Sequence, residues 1–247
     1  MKIGIIIQAR TNSTRLPNKI ILPFNENQNV LEILLKKISD KINIPIVVAT
    51  SDNPDDSIIE QICSKFNVNC FKGDEHNVLQ RFYNCAIEYN FDFVIRICSD
   101  NPFIDIEDLE QLINFQTNDD YLSFKINDIP SIKTHYGFWA ERIKTTALER
   151  VLNLTKDKLF LEHVTNYIYT YPADFNIKWL ENKSISLLNF PIRLTIDTKE
   201  DFEIMQNIYS HLKKNNLEMD KINIISHIRD NKTIQKQMLA QIEANSK

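Results

Sequence analysis

The chain has 247 residues, 43% of them hydrophobic and 25% charged, with a formal net charge of −4. That composition suits a globular protein able to bury a core, and the acidic balance argues against bulk nucleic-acid binding, so any anion site must be local. The first apolar run is too short to cross a bilayer and lacks the parts of a signal peptide, and Cys63, Cys70, Cys85 and Cys98 form no CxxC pair, so buried free thiols in a cytoplasmic protein are expected.

Apolar β-branched runs alternate with amphipathic segments along the first half. IGIIIQ (3–8) reads as a buried strand and VLEILLKKI (30–38) as a helix. PIVVAT (45–50) is the next strand, and Asp52 or Asn53 can cap the helix that Pro54 opens, continuing through IIEQICSKF (58–66). VNCFKG (68–73), NVLQRFYNCAIEY (77–89), FDFVIRIC (91–98) and IEDLEQLINF extend the strand–helix alternation. Past residue 125 the pattern weakens. KTHYGFWAERI (133–143) mixes aromatics with charge, and LFLEHVTNYIYTY (159–171) looks helical. PIRLTIDT (191–198) reads as a last short strand, followed by the helix DFEIMQNIYSHLKK and a charged helical tail from Asn216.

This order implies an α/β fold with a mainly parallel sheet covered by helices on both faces, in which ligands bind beyond the C-terminal strand ends. One domain over 1–247 is expected, with 126–190 as a smaller subregion and 216–247 as a helical tail. The polar stretches QARTNSTR, TSDNPDD, KGDEHN and CSDNP directly follow strands and should meet at one sheet edge.

The loop Gln8–Lys19 carries Arg10, Arg15 and Lys19 among hydroxyls and asparagines, the means by which turns hold phosphate. It matches neither GxxxxGK[ST] nor GxGxxG; Asn12 and Asn18 stand where a tight turn needs positive φ, which asparagine tolerates best among non-glycine residues. Asp100 and Asp197 each end an apolar run. They could share one Mg²⁺ completed by substrate phosphates, or each could be a helix cap. His163 is flanked by apolar residues, a setting in which a lone histidine is more often a packed, hydrogen-bonded core residue than a catalyst. The absence of GxSxG and HExxH gives covalent or zinc catalysis no support.

The motif QARTNSTRLPNK resembles the QAR-x-x-STRLP-x-K signature of the SpsF-like cytidylyltransferases, relatives of the synthetase that makes CMP-KDO. The likeness continues in order through VVATSDNPDD, FKGDEHNVLQRF, VIRICSDNPFID, EHVTNYI and RLTIDTKEDFE, covering most of residues 3–204. It implies a Rossmann-like nucleotidyltransferase fold of the glycosyltransferase-A type. It also implies Mg²⁺-dependent transfer of CMP from CTP to an acidic sugar or a phosphorylated or phosphonate acceptor, in surface polysaccharide biosynthesis. Carried over, Arg10, Arg15 and Lys19 grip the triphosphate, with Gln8, Ala9, Thr11, Asn12 and Ser13 in the same loop. Gly73, Asn77 and Arg81 shape the base and ribose pocket, and Asp100 and Asp197 hold Mg²⁺. Asn101, Gly137, Glu141 and His163 fall in the acceptor region. The usual glycines of the loop are Asn12 and Asn18 here, and a GDCP-like turn reads SDNP. The resemblance suggests a homodimer, using the aromatic-rich segment 135–171. A glycosyltransferase is the alternative enzyme, disfavoured because Asp100 and Asp105 make no DxD pair; a non-catalytic nucleotide-binding subunit is the other alternative.

Overall fold

In a computed structural model, which describes residues 1–182, 185 and 188–245, the first half alternates as the apolar pattern predicts. Strands β1 (Ile3–Gln8), β2 (Ile46–Ser51), β3 (Asn69–Gly73) and β4 (Phe93–Cys98) pair in parallel in the spatial order β3-β2-β1-β4. Helices α1 (Val30–Ser39), α2 (Ser57–Lys65) and α3 (Val78–Glu88) connect them, and α4 (Ile106–Asn114) follows β4. Successive side chains of β1 enter opposite layers: Ile5 and Ile7 pack with α1 and α2, while Ile6 packs with Val78 and Phe82 of α3. A strand covered on both faces must be apolar at every position, which is why IGIIIQ is continuous rather than alternating.

The second half departs from what its sequence suggests. Strands β5 (Tyr121–Ile126), β6 (Ile129–Pro130), β7 (Glu141–Lys144) and β8 (Ile177–Glu181) extend the same sheet, with β7 antiparallel between β4 and β5, and β8 parallel to β5. The sequence reading marks none of the four, although β5, YLSFKI, is largely apolar. β7 reads ERIK, and its Glu141 and Arg142 are buried with partners that only the fold supplies. The β5–β6 turn takes positive φ at both Asn127 and Asp128, the residue types that do so most easily in a tight hairpin.

PIRLTIDT is not a strand. Its Leu194 N–H donates to His135 O and its Ile196 N–H to Asp100 O, single bonds to loops rather than a ladder. Gly137, at φ +68, lies so close under this segment that a Cβ would stand 2.3 Å from Leu194 O. The stretch 159–171 is two short helices, α6 (Lys158–Glu162) and α7 (Asn166–Thr170), broken at His163–Thr165, after α5 (Thr145–Leu154). Helix α8 (Lys199–Lys214) begins with a capping box in which Thr198 and Asp201 satisfy each other's backbone N–H. Helices α9 (Lys221–Asp230) and α10 (Lys232–Ala244) complete the described chain. No helix among the described residues is long and apolar enough to cross a membrane.

Candidate active site

Parallel pairing puts the C-terminal ends of β1, β2, β3 and β4 on one edge, and the polar segments that follow β1 and β4 open onto a cleft of about 780 Å³. One wall is the loop after β1, with Arg10, Ser13, Arg15 and Lys19. The floor is the end of β4, with Arg96, Asp100 and Asn101. The far wall is the α6–α7 break, with Glu162, His163 and Thr165.

The loop closes on itself because Thr11 O accepts from both Ser13 N–H (3.0 Å) and Asn18 N–H (2.9 Å). Asn18 takes the expected positive φ, 62°; Asn12 does not. Asn12 instead points outward and donates its side-chain amide to Glu75 at 3.1 Å, so its role is a tie between loops rather than a turn.

Lys19 is the centre of the charge cluster. Its ammonium lies 2.8 Å from Asp100 Oδ2 and 3.7 Å from Asp197 Oδ1, and donates to Ile196 O at 2.6 Å. Burial alone would lower its pKa, but the carboxylates of Asp100 and Asp197 outweigh that and hold it above the ordinary lysine value. Arg15 reaches Asp197 Oδ1 at 2.7 Å, and the buried Arg193 reaches Asp197 Oδ2 at 3.0 Å while binding Asp201 at 2.7 Å. Arg10 crosses the cleft to Glu162 at 3.0 Å.

Two hard oxygen donors facing one cation fit a site for Mg²⁺, which uses few carboxylates together with substrate oxygens. Among the described residues, no group of three or more His, Cys, Asp or Glu side chains is placed to cage a metal. Asp105 plays no part in this pair: it caps α4, accepting from Asp108 N–H at 3.0 Å.

The acceptor-side residues divide. Asn101 and His163 line the cleft; Gly137 and Glu141 do not. Glu141 is 2% exposed and works from beneath, binding Arg96 (2.5 Å), the Tyr121 hydroxyl (2.5 Å) and the Thr165 hydroxyl (2.9 Å). Arg96 in turn donates to Gln8 Oε1 at 2.9 Å, joining the floor to the first strand. Burial lowers the His163 pKa, and Arg96 and Arg10 add to that against Glu162, so the neutral imidazole faces the cleft. Asn101 Oδ1 and Thr195 Oγ1 are buried at the cleft without hydrogen-bond partners among the described residues.

The base-pocket residues lie beside the cleft, not on its lining. Asn77 caps α3; Arg81 donates to Asp74 O at 3.0 Å and packs against Gly73. Burial, then the neighbouring Arg10, push the Arg81 guanidinium down to about 10, and its Nε and Nη2 are buried without hydrogen-bond partners among the described residues. Ala9 and Thr11 are buried behind the loop. None of the four cysteines forms a disulfide, and only Cys63 and Cys85 are buried; Cys98 reaches the cleft because the last residue of β4 lies at the open sheet edge.

Sequence reading missed Arg96, Glu162 and Thr165. A charged residue inside the apolar run FVIRIC was a visible signal for Arg96. Glu162 and Thr165 lie within the motif EHVTNYI, but the motif gives them no role, since their positions depend on where a helix breaks.

A family model described as cytidylyltransferase matches residues 4–239. The spore coat polysaccharide biosynthesis protein SpsF of Bacillus subtilis is 34% identical over 215 residues, covering 83% of this chain and 85% of that protein. The uncharacterised protein MJ1063 of Methanocaldococcus jannaschii is 38% identical over 225 residues, covering 90% of this chain and 89% of that protein. Among solved structures, a cytidylyltransferase from Leptospira borgpetersenii superposes with a TM-score of 0.83 at 29% identity, covering 95% of this chain and 97% of that one.

Proposed function

The chain belongs to the cytidylyltransferase family and is a nucleotidyltransferase, and from that premise we propose that it transfers CMP from CTP to a hydroxyl-bearing acidic acceptor, with release of pyrophosphate. The observation that carries this reading is the meeting of Arg10, Arg15 and Lys19 with Asp100 and Asp197 at one cleft, from segments remote in sequence.

Arg10, Arg15 and Lys19 present fixed positive charge to the phosphate chain, so little reorganisation is needed as charge moves onto the leaving group. Each pairs with a carboxylate at the cleft, and each can exchange that carboxylate for a phosphate oxygen. Asp100 and Asp197 would hold Mg²⁺, which when bound supplies charge neutralisation on the phosphates. The acceptor hydroxyl gives up its proton to solvent, its oxygen attacks the α-phosphorus, and the bond to the pyrophosphate oxygen breaks. The acceptor enters against the α6–α7 wall. There the unpartnered Asn101 Oδ1 accepts from, and Thr195 Oγ1 donates to, its hydroxyls, and Lys133 (its ammonium 4.8 Å above the Tyr169 ring) and Arg96 favour an anionic group such as a sugar acid or a phosphate. The donors of Arg81 that have no partner among the described residues favour a base held beside the loop. The name of the Bacillus relative favours surface polysaccharide synthesis as the setting.

The test is pyrophosphate release from CTP, ATP, GTP and UTP with Mg²⁺ across a panel of sugar acids and sugar phosphates. Release with CTP and one acceptor class is expected. Release with ATP or GTP instead of CTP would reject the cytidylyl assignment.

A further inference from the structure

Asp56 is a buried carboxylate, 1% exposed, that touches neither the cleft nor a cation within ion-pair distance among the described residues. It stands immediately before α2 (Ser57–Lys65), where an aspartate ordinarily caps its own helix, yet it makes no side-chain cap bond. Both oxygens turn away instead. Oδ1 accepts from Thr11 N–H and from Thr11 Oγ1, each at 2.7 Å; Oδ2 accepts from Ser51 N–H at 3.3 Å and from the Ser51 hydroxyl. Burial raises the carboxyl pKa, but the donors of Ser51 and Thr11 outweigh it, so the anion is the stable form.

Thr11 is the hub of the loop. Its carbonyl closes the turn through Ser13 and Asn18, and Arg10 and Lys19 flank those two anchor points. A negative charge behind a polyanion site works against the ligand by Coulomb's law, so attraction is not what Asp56 contributes. What remains is geometry.

We propose that Asp56 is a positioning residue for the phosphate chain: held by the two donors of Ser51, it accepts two hydrogen bonds from Thr11 and so fixes Thr11 and through it the spacing of Arg10, Asn18 and Lys19. The inference rests on the triphosphate site proposed above. Leaving Thr11 N–H and Oγ1 without a buried partner favours a displaced loop, because an unmet buried donor costs more than the bond itself is worth.

Calorimetric titration of the full chain with sodium tripolyphosphate, CTP and cytidine separates this role from general stability. Asp56→Asn, which puts an amide donor against donors, is expected to weaken tripolyphosphate and CTP at least tenfold and cytidine less than twofold. Thr11→Val is expected to weaken tripolyphosphate three- to fivefold alone and not further in the Asp56→Asn background, and Thr11→Ser to bind as wild type; such a coupling marks a direct pair. If Asp56→Asn fails to fold, the Thr11 pair still decides. Unchanged tripolyphosphate affinity in Thr11→Val or Asp56→Asn overturns the inference, as does a parallel loss of cytidine. Wild-type protein that binds no triphosphate would overturn the triphosphate reading itself, and this inference with it.

Discussion

At the scale of single residues, the cleft is a set of ion pairs awaiting exchange. Lys19 is mostly buried between Asp100 and Asp197, so Lys19→Met removes a preorganised charge and leaves two carboxylates facing each other. Turnover should fall about a hundredfold, the usual cost of losing one such group; a loss under threefold would remove Lys19 from the phosphate site. Glu162 has the opposite sign of effect. It competes with phosphate for Arg10 across the cleft mouth, so Glu162→Gln should tighten CTP binding severalfold in calorimetry. That pair is only partly buried, and solvent-screened pairs contribute little to stability, so the melting temperature should barely move. Weaker CTP binding by Glu162→Gln would show that the side chain supports the ligand rather than opposing it.

At the scale of elements, the start of α8 deserves its own test because one carboxylate serves two structures. Asp201 completes the capping box with Thr198 and binds the buried Arg193, which also steadies Asp197. Burial raises the Asp201 pKa, but Arg193 and the backbone N–H groups of Asp197 and Thr198 outweigh it and hold it below the ordinary value. A depressed carboxylate pKa contributes stability that is present above the unfolded value near 4 and is lost as pH falls through the folded value. Asp201→Asn should therefore unfold more easily at pH 7, by about 3–5 kcal/mol for a broken buried pair, and the gap to wild type should close below pH 4. Urea midpoints at pH 7 and pH 3 check this; a gap of equal size at both would assign the loss to packing rather than charge. The α6–α7 break belongs to the same scale. It makes a wall for the cleft from a segment whose residues look like one helix: the backbone leaves helical geometry at His163, and Thr165, just before α7, donates its hydroxyl to Glu141.

For the whole molecule, one sheet runs from β3 to β6 and carries the cleft across its parallel end. A ligand that binds only this folded arrangement stabilises all of it. CTP with Mg²⁺ at a hundred times its Kd should add about 2.7 kcal/mol, which for a chain of this size raises Tm by about 5–10 °C. Scanning calorimetry with CTP, ATP, GTP and UTP checks both the size and the order, and equal shifts for all four would contradict base recognition.

The sequence by itself determined the parallel half and the ends of its strands. Double-sided burial demands continuous apolar runs, and each such run stops where a polar loop begins, so IGIIIQ and FVIRIC announce both the core and the edge where ligands bind. It also placed Arg10, Arg15, Lys19, Asp100 and Asp197 as candidates, since charges at strand ends are costly unless they meet partners. Only the tertiary structure decided the antiparallel half, the course of residues 191–197 as a strap of single bonds, and which candidates share the cleft. β7 is four residues long with two buried charges, and Glu141, Arg96 and Asp56 are tolerated inside only because segments remote in sequence supply their hydrogen bonds. Periodicity reports which residues are buried; it carries no record of what a buried charge will touch.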